Sequence, residues 1–122
     1  MTTETDRELL EWAAKAAGMW KTDFALDDED QVVYSEESGF YLAWGKGWWN
    51  PLIDDGDVLR LATHCEIAIK FTAIRVICKW VNIRCQERYF EDRNAATRRA
   101  VVRAAAAIGK AMPCPPKQPT FS

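Results

Sequence analysis

The segment WGKGWWNPLIDDGDVLRLA contains the residue types best suited to chemistry. Its aspartates Asp54, Asp55 and Asp57 could bind a divalent cation or exchange protons, with Trp48 and Trp49 gripping a ligand beside them. The aspartate-glycine spacing resembles part of a calcium-binding loop, but the remaining ligands and the closing glutamate are absent. Asp54 as a helix N-cap and Asp57 at the third helical position explain the same residues. We therefore interpret the segment mainly as a strand-to-helix junction without a metal.

Aromatic residues around this junction are the preferred functional signal. Six tryptophans in one small domain exceed what a single core readily hides, and exposed aromatic side chains mark protein interfaces. The junction does not obviously need Trp48 or Asp55. We predict a partner-binding site formed by Trp48, Trp49, Tyr41 and Asp55. The alternative is that the tryptophans fill the groove between sheet and helices.

Basic residues near the C-terminus provide a second candidate site. Arg99, Arg103 and Lys110 share one face of a predicted helix, with Arg98 beside them, and such a face can contact phosphates. The alternative is a solvated face, paired with the acidic segment 27–30. The formal net charge of −2 does not favour nucleic acid as a partner. Nucleic-acid binding through these four residues is therefore the alternative to protein binding.

Cysteine and histidine side chains do not form a recognisable catalytic or metal-binding pattern. The four cysteines, Cys65, Cys78, Cys85 and Cys114, contain no C-x-x-C pair, and their spacing with His64 matches no structural zinc pattern. His64 and Cys65 are adjacent, so their side chains point in different directions. No combination of nucleophile and base is complete. We expect a protein that is not an enzyme and uses no cofactor.

Length and composition predict one globular domain. The chain has 122 residues, of which 48% are hydrophobic and 28% charged. No apolar run is long enough to span a membrane, and the polar N-terminus does not resemble a secretory signal, so we expect a cytoplasmic location. The domain is predicted to comprise residues 1–112. Residues 113–122, PCPPKQPTFS, are predicted to form a flexible tail because their prolines prevent helix formation.

Periodicity in the first half predicts a helix followed by a hairpin. Residues 5–18 begin with a capping box and end at a glycine suited to a helix C-terminus. Residues 31–36 are predicted to form a strand. Phe40, Leu42 and Trp44 alternate with their neighbours and are predicted to lie on the buried face of a second strand.

The second half repeats this pattern with helix, strands and helix. The helix after Asp54 is predicted to end near His64, burying Leu59 and Ala62 or Leu61 according to its rotation. Residues 66–72 alternate as a strand, and the pattern from 74 to 85 reverses after Trp80 through a turn or bulge whose position the sequence leaves open. Residues 92–112 are predicted to be helical. Their buried stripe is formed by Val101, Ala104, Ile108 and Met112.

These elements predict an α+β fold in the order α-β-β-α-β-β-α. The expected packing is one antiparallel sheet of about four strands with the helices on one face.

Two sequence stretches resemble a family of small phage and prophage proteins. They are WNPLIDDGDVLRLA at 49–62 and AATRRAVVRAAAAIG at 95–109, and the opening RELLEWAAKAAG at 7–18 is similar as well. The resemblance implies a phage or prophage origin and supplies no mechanism. Together with the aromatic surplus, it leads us to expect an accessory protein that binds a host or phage protein, or a second copy of itself.

Overall fold

The computed structural model describes residues 4–19 and 23–112, which contain three α-helices and six β-strands. The predicted tail, 113–122, lies outside the described residues. None of the helices within the described ranges has the length and apolarity needed to cross a bilayer. The elements are α1 (Asp6–Ala16), β1 (Tyr34–Ser35), β2 (Gly39–Leu42), β3 (Gly47–Trp49), α2 (Asp55–Cys65), β4 (Ala68–Phe71), β5 (Arg75–Trp80), β6 (Ile83–Arg88) and α3 (Arg93–Ala111).

The strands form two antiparallel sheets of three strands each, in the orders β1-β2-β3 and β4-β5-β6. The α+β class is confirmed and the predicted element order is roughly right, but the single sheet of about four strands is wrong. Where the sequence predicted two strands in each half of the chain, the structure has three, because an additional turn divides or follows the predicted strands. In the first sheet, Gly45 and Gly47 adopt positive φ angles of 71° and 94°. Glycine tolerates this conformation, so the chain can reverse and return as β3.

The prediction that Trp44 is buried beside Phe40 and Leu42 is wrong. Strand β2 ends at Leu42, and Ala43–Gly45 form a 3₁₀ turn in which Trp44 has a φ of 67°. The break in the strand ends the alternation of faces. Trp44 is consequently 87% exposed, whereas Phe40 is completely buried.

In the second sheet, two turns explain the reversal of the alternating pattern. Trp80 pairs with Ile83, so Val81 and Asn82 form the turn between β5 and β6. The earlier turn is organised by Thr72, whose hydroxyl accepts hydrogen bonds from the backbone N–H groups of Ile74 and Arg75. Val76 and Cys78 point to the face of β5 that packs against α3 and are completely buried. The opposite face of this sheet points away from the helices.

Helices α1 and α3 pack directly against each other at the centre of the molecule. Helix α1 begins with the predicted capping box, in which Thr5 and Glu8 exchange hydrogen bonds. A Cβ added at Gly109 of α3 would lie 2.1 Å from the backbone oxygen of Trp12, so the two helix backbones are close neighbours. One apolar cluster joins residues of all three helices and both sheets, and includes Leu10 of α1.

Two predicted core positions on the helices are also wrong. Leu59 is exposed while Leu61 and Ala62 are buried, because α2 is rotated so that its 58-61-62-65 face points inward. Met112 is also exposed, because α3 ends at Ala111 and Met112 already has the extended backbone of a cap residue. The remaining members of the predicted α3 stripe are buried: Val101, Ala104 and Ile108.

Candidate functional site

Two aspartates of the junction bind backbone groups of the chain itself. Asp54 is the N-cap of α2, and its Oδ2 accepts a hydrogen bond of 2.8 Å from the backbone N–H of Asp57. The carboxylate of Asp57 accepts two hydrogen bonds: one of 2.9 Å from the buried backbone N–H of Asn50 and one of 2.7 Å from the Arg60 side chain. The predicted cap is therefore confirmed. These oxygens hold the strand-to-helix junction in shape.

Asp55 and Arg98 were assigned by sequence to two different sites, and the structure brings them together. Arg98 Nη1 donates to Asp55 Oδ1 at 2.7 Å, and Arg98 Nε donates to the backbone oxygen of Leu52 at 2.9 Å. Arg98 thus fastens the junction to α3. The carboxylate of Asp55 remains largely exposed, so it can still contact a partner at the edge of the junction.

Trp49 is placed in the core, away from the surface where a partner would bind. It is 6% exposed and pairs across the strands with the buried Phe40. The register explains this position, because alternate residues of β3 point to opposite faces. Trp49 therefore cannot serve as a contact residue in the folded protein, and we remove it from the predicted site.

Tyr41 and Trp48 lie on the outward face of the same hairpin. They are directly paired between β2 and β3, and their rings meet edge to face with centroids 5.0 Å apart. Trp48 is 46% exposed. Trp44, at the tip of the hairpin, was missed as a site residue; the glycines that follow it, Gly45 and Gly47, are the signal that could have identified a turn there. We call Tyr41, Trp44 and Trp48 the aromatic hairpin surface.

A groove of about 570 Å³ adjoins this surface, between the hairpin and α2. Lys46 and Trp48 line the hairpin side, and Asp54, Arg60 and His64 line the helix side. The groove therefore combines one aromatic wall with charges of both signs. Of these lining residues, only Trp48 belongs to the partner site predicted from the sequence.

The three described cysteines are poorly suited to nucleophilic chemistry. Burial raises the pKa of the Cys65 and Cys85 thiols, and burial, with a smaller contribution from Cys85, raises that of Cys78 to about 12. A thiol is a good nucleophile only when it is ionised. Among residues 4–19 and 23–112, no group of three or more histidine, cysteine or acidic side chains is arranged to hold a metal ion.

Ionisation of Cys78 should make the free energy of unfolding decrease as the pH rises in the alkaline range. The folded protein retains this proton to about pH 12, whereas the unfolded thiol ionises near its ordinary pKa of 9.0. The contribution of the protonated Cys78 thiol to the free energy of unfolding is therefore complete below pH 9. It is lost as the pH rises towards 12, by at most about 1.4 kcal/mol per pH unit. Urea unfolding between these pH values should show a shallower decline for Cys78→Ala than for the unchanged protein.

A suitable control for this prediction is Val76→Ala, because Val76 is equally buried on the same strand and has no ionisable group. It should lower stability while leaving the pH dependence unchanged. Parallel pH profiles for the unchanged protein and Cys78→Ala would contradict the prediction.

All four basic residues predicted on α3 are already paired with carboxylates. Arg98 contacts Asp55, Arg99 contacts Asp6 at 3.2 Å, Arg103 contacts Glu87, and Lys110 contacts Glu4. None of these partners belongs to the acidic segment 27–30, so the predicted alternative pairing is wrong. A phosphate bound to this helix face would have to displace an existing carboxylate partner at each of the four residues.

No protein-family model, curated protein sequence or solved structure matches this chain.

Proposed function

We propose that this chain is a non-enzymatic accessory protein of phage or prophage origin that binds a protein partner through the aromatic hairpin surface. The observation that carries the proposal is the exposure of two tryptophans, Trp44 and Trp48, on one hairpin beside a groove. Leaving large aromatic side chains in water forgoes the free energy of burying them. Tryptophan is also enriched among the residues that dominate binding energy at protein interfaces.

The backbone at Trp44 supports a functional role for the hairpin tip. A non-glycine residue at φ 67° is strained, at a cost of about 1–3 kcal/mol, and such strain clusters at binding sites and active sites. Here it holds a tryptophan in solvent. The aromatic wall and the mixed charges of the adjacent groove match a protein interface, where aromatic anchors are surrounded by a polar rim.

Asp55 remains in the proposed contact set because its carboxylate is largely exposed at the junction. The phage or prophage origin is supported by the resemblance of the segments 49–62 and 95–109 to phage and prophage proteins. A phage or prophage origin implies that the partner is a host or phage protein, or a second copy of the chain. The host cytoplasm is then the expected place of action.

The test replaces both exposed tryptophans of the hairpin. Trp44→Ala together with Trp48→Ala should weaken binding to a partner identified with the unchanged protein by about 30-fold or more, because loss of even one interface anchor costs about 2 kcal/mol. Affinity would be measured by calorimetry with that purified partner, and self-association by sedimentation. Thermal unfolding should change little, since these side chains are exposed.

Phe90→Ala provides the matched control, because Phe90 is as exposed as Trp44, at 87%, and lies on the turn before α3. It should bind like the unchanged protein. Full affinity in the double variant, or an equal loss in Phe90→Ala, would overturn the assignment of the site.

A further inference from the structure

The outward face of the second sheet carries five basic side chains: Lys70, Arg75, Lys79, Arg84 and Arg88. The strand register places them together, because Ala68 pairs with Lys79, Lys70 with Ile77, and Lys79 with Arg84. Their neighbours along the strands point to the opposite face of the sheet, where β5 and β6 pack against α3. We call these five residues the basic sheet face.

Within strands β4, β5 and β6, no acidic residue shares this face with the basic side chains. The other strand residues that point to the same side are Ala68, Ile77 and Gln86, none of which is acidic. Among the described residues, none of the five basic side chains forms an ion pair, in contrast to the basic residues of α3. The whole chain has a net charge of −2, whereas the strand register brings these five positive charges together on one surface.

The arrangement costs the isolated protein stability. Arg75 lies directly opposite Arg88, and Lys79 directly opposite Arg84. Like charges directly opposite each other on neighbouring strands are destabilising. Ile77, at the middle of the face, is nevertheless only 7% exposed, which fits coverage by the apolar stems of the long side chains around it. The charged ends are then held at the outer surface, where an anionic ligand would relieve their repulsion.

The dimensions of the face suit the backbone of a nucleic-acid duplex. The pair Arg75–Arg88 lies four residues along the strands from the pair Lys79–Arg84, which corresponds to about 13 Å. The major groove of B-DNA separates its two phosphate backbones by a similar width of about 12 Å. The face has no aromatic side chain, whereas proteins that bind single strands usually stack bases on aromatic rings.

We propose that the basic sheet face binds the phosphate backbone of duplex DNA without reading its sequence. The two opposed pairs contact the phosphates on the two sides of a groove, and Lys70 adds a contact at the edge strand. This site goes beyond the proposed partner site, because it uses other strands and another kind of ligand.

The experiment measures binding to a duplex of random sequence at several salt concentrations. Five phosphate contacts predict that the logarithm of affinity falls against the logarithm of salt with a slope of about −4.5. Affinity should therefore fall by roughly 500-fold between about 50 and 200 mM salt. Fluorescence anisotropy with the full chain would give both quantities.

The decisive variant is Lys79→Gln with Arg84→Gln, which removes one opposed pair. It should weaken duplex binding by about 10-fold or more and reduce the steepness of the salt slope by about 1.8. Arg99→Gln with Arg103→Gln changes the net charge equally on α3 and should leave the slope unchanged. Circular dichroism would verify that both variants are folded.

Four results would overturn the proposal: no duplex binding at low salt, equal losses in the two double variants, tighter binding to a single strand, or binding to phosphatidylglycerol vesicles without binding to DNA. None of these would affect the hairpin site, whose test uses different residues and a protein partner.

Discussion

Alanine at Gly109 is expected to lower the free energy of unfolding by about 3 kcal/mol or more. The added Cβ would lie 2.1 Å from the backbone oxygen and 2.9 Å from the backbone carbon of Trp12 in α1. A helix backbone cannot rotate aside as a side chain can, so α1 and α3 must move apart and open the core between them. The loss appears although alanine is the better helix former by about 1 kcal/mol.

Gly56→Ala makes the same substitution in α2, and it should be nearly neutral or stabilising. Its Cβ would lie 3.2 Å from Asp54 Oδ2 and 3.3 Å from the guanidinium of Arg60. The end of Arg60 can move aside, and the capping oxygen of Asp54 needs to move by only a few tenths of an ångström. Thermal and urea unfolding of the two variants would measure the difference. Similar melting temperatures for Gly109→Ala and the unchanged protein would show that the helices are less closely packed than described.

Removal of the Asp57 carboxylate is expected to cost about 2–3 kcal/mol. The carboxylate is the acceptor for the buried backbone N–H of Asn50. When a buried donor loses its charged acceptor, the free energy of removing that donor from water is no longer offset. Asp57 also lies in the first turn of α2, where negative charge is favourable. Asp57→Ala should therefore loosen the junction between β3 and α2, as measured by urea unfolding and by amide exchange at Asn50.

Two further variants separate this role from simple loss of charge. Asp57→Asn keeps an acceptor oxygen and should recover part of the stability. Asp55→Ala removes an equal charge from the same motif but breaks mainly the Asp55–Arg98 ion pair, which is worth about 1 kcal/mol or less because the Asp55 carboxylate is largely exposed. Equal losses in Asp55→Ala and Asp57→Ala would contradict the assigned hydrogen bonds.

Features with local causes could be predicted from the sequence. Thr5 with Glu8, and Asp54 before α2, are capping signals within one turn of the chain, and both caps form as expected. The alanine-rich α3 follows from intrinsic helix propensity. The alternating face of β5 was also predictable, since Val76 and Cys78 are buried on one side.

Features set by distant contacts could not be predicted. The number of sheets depended on turns at Trp44 and Val81, two residues that rarely adopt positive φ. The rotation of α2 decided between Leu59 and Leu61, and only packing against the core determines it. Ion pairs such as Arg99 with Asp6 join residues far apart in the chain, so the neutralised face of α3 could not be anticipated.

The basic sheet face was partly visible in the sequence. Within β5 and within β6, the two basic residues are four positions apart, an even number, as residues on one face of a strand must be. These residues are Arg75 and Lys79 in β5, and Arg84 and Arg88 in β6, while β4 contributes Lys70. Between the strands, however, the phase depends on the turns at Thr72 and Val81. Without their positions, the five residues could not be placed on one side of a sheet.

The close pairing of α1 with α3 has a consequence for biosynthesis. The first helix leaves the ribosome long before the last one, and until then its apolar side, including Leu10, lacks its main partner. Closing so long a loop is entropically unfavourable and slows the search for native contacts. The nascent chain therefore completes its core only after α3 has been synthesised, and until that moment the apolar side of α1 remains open to other apolar surfaces, including those of chaperones.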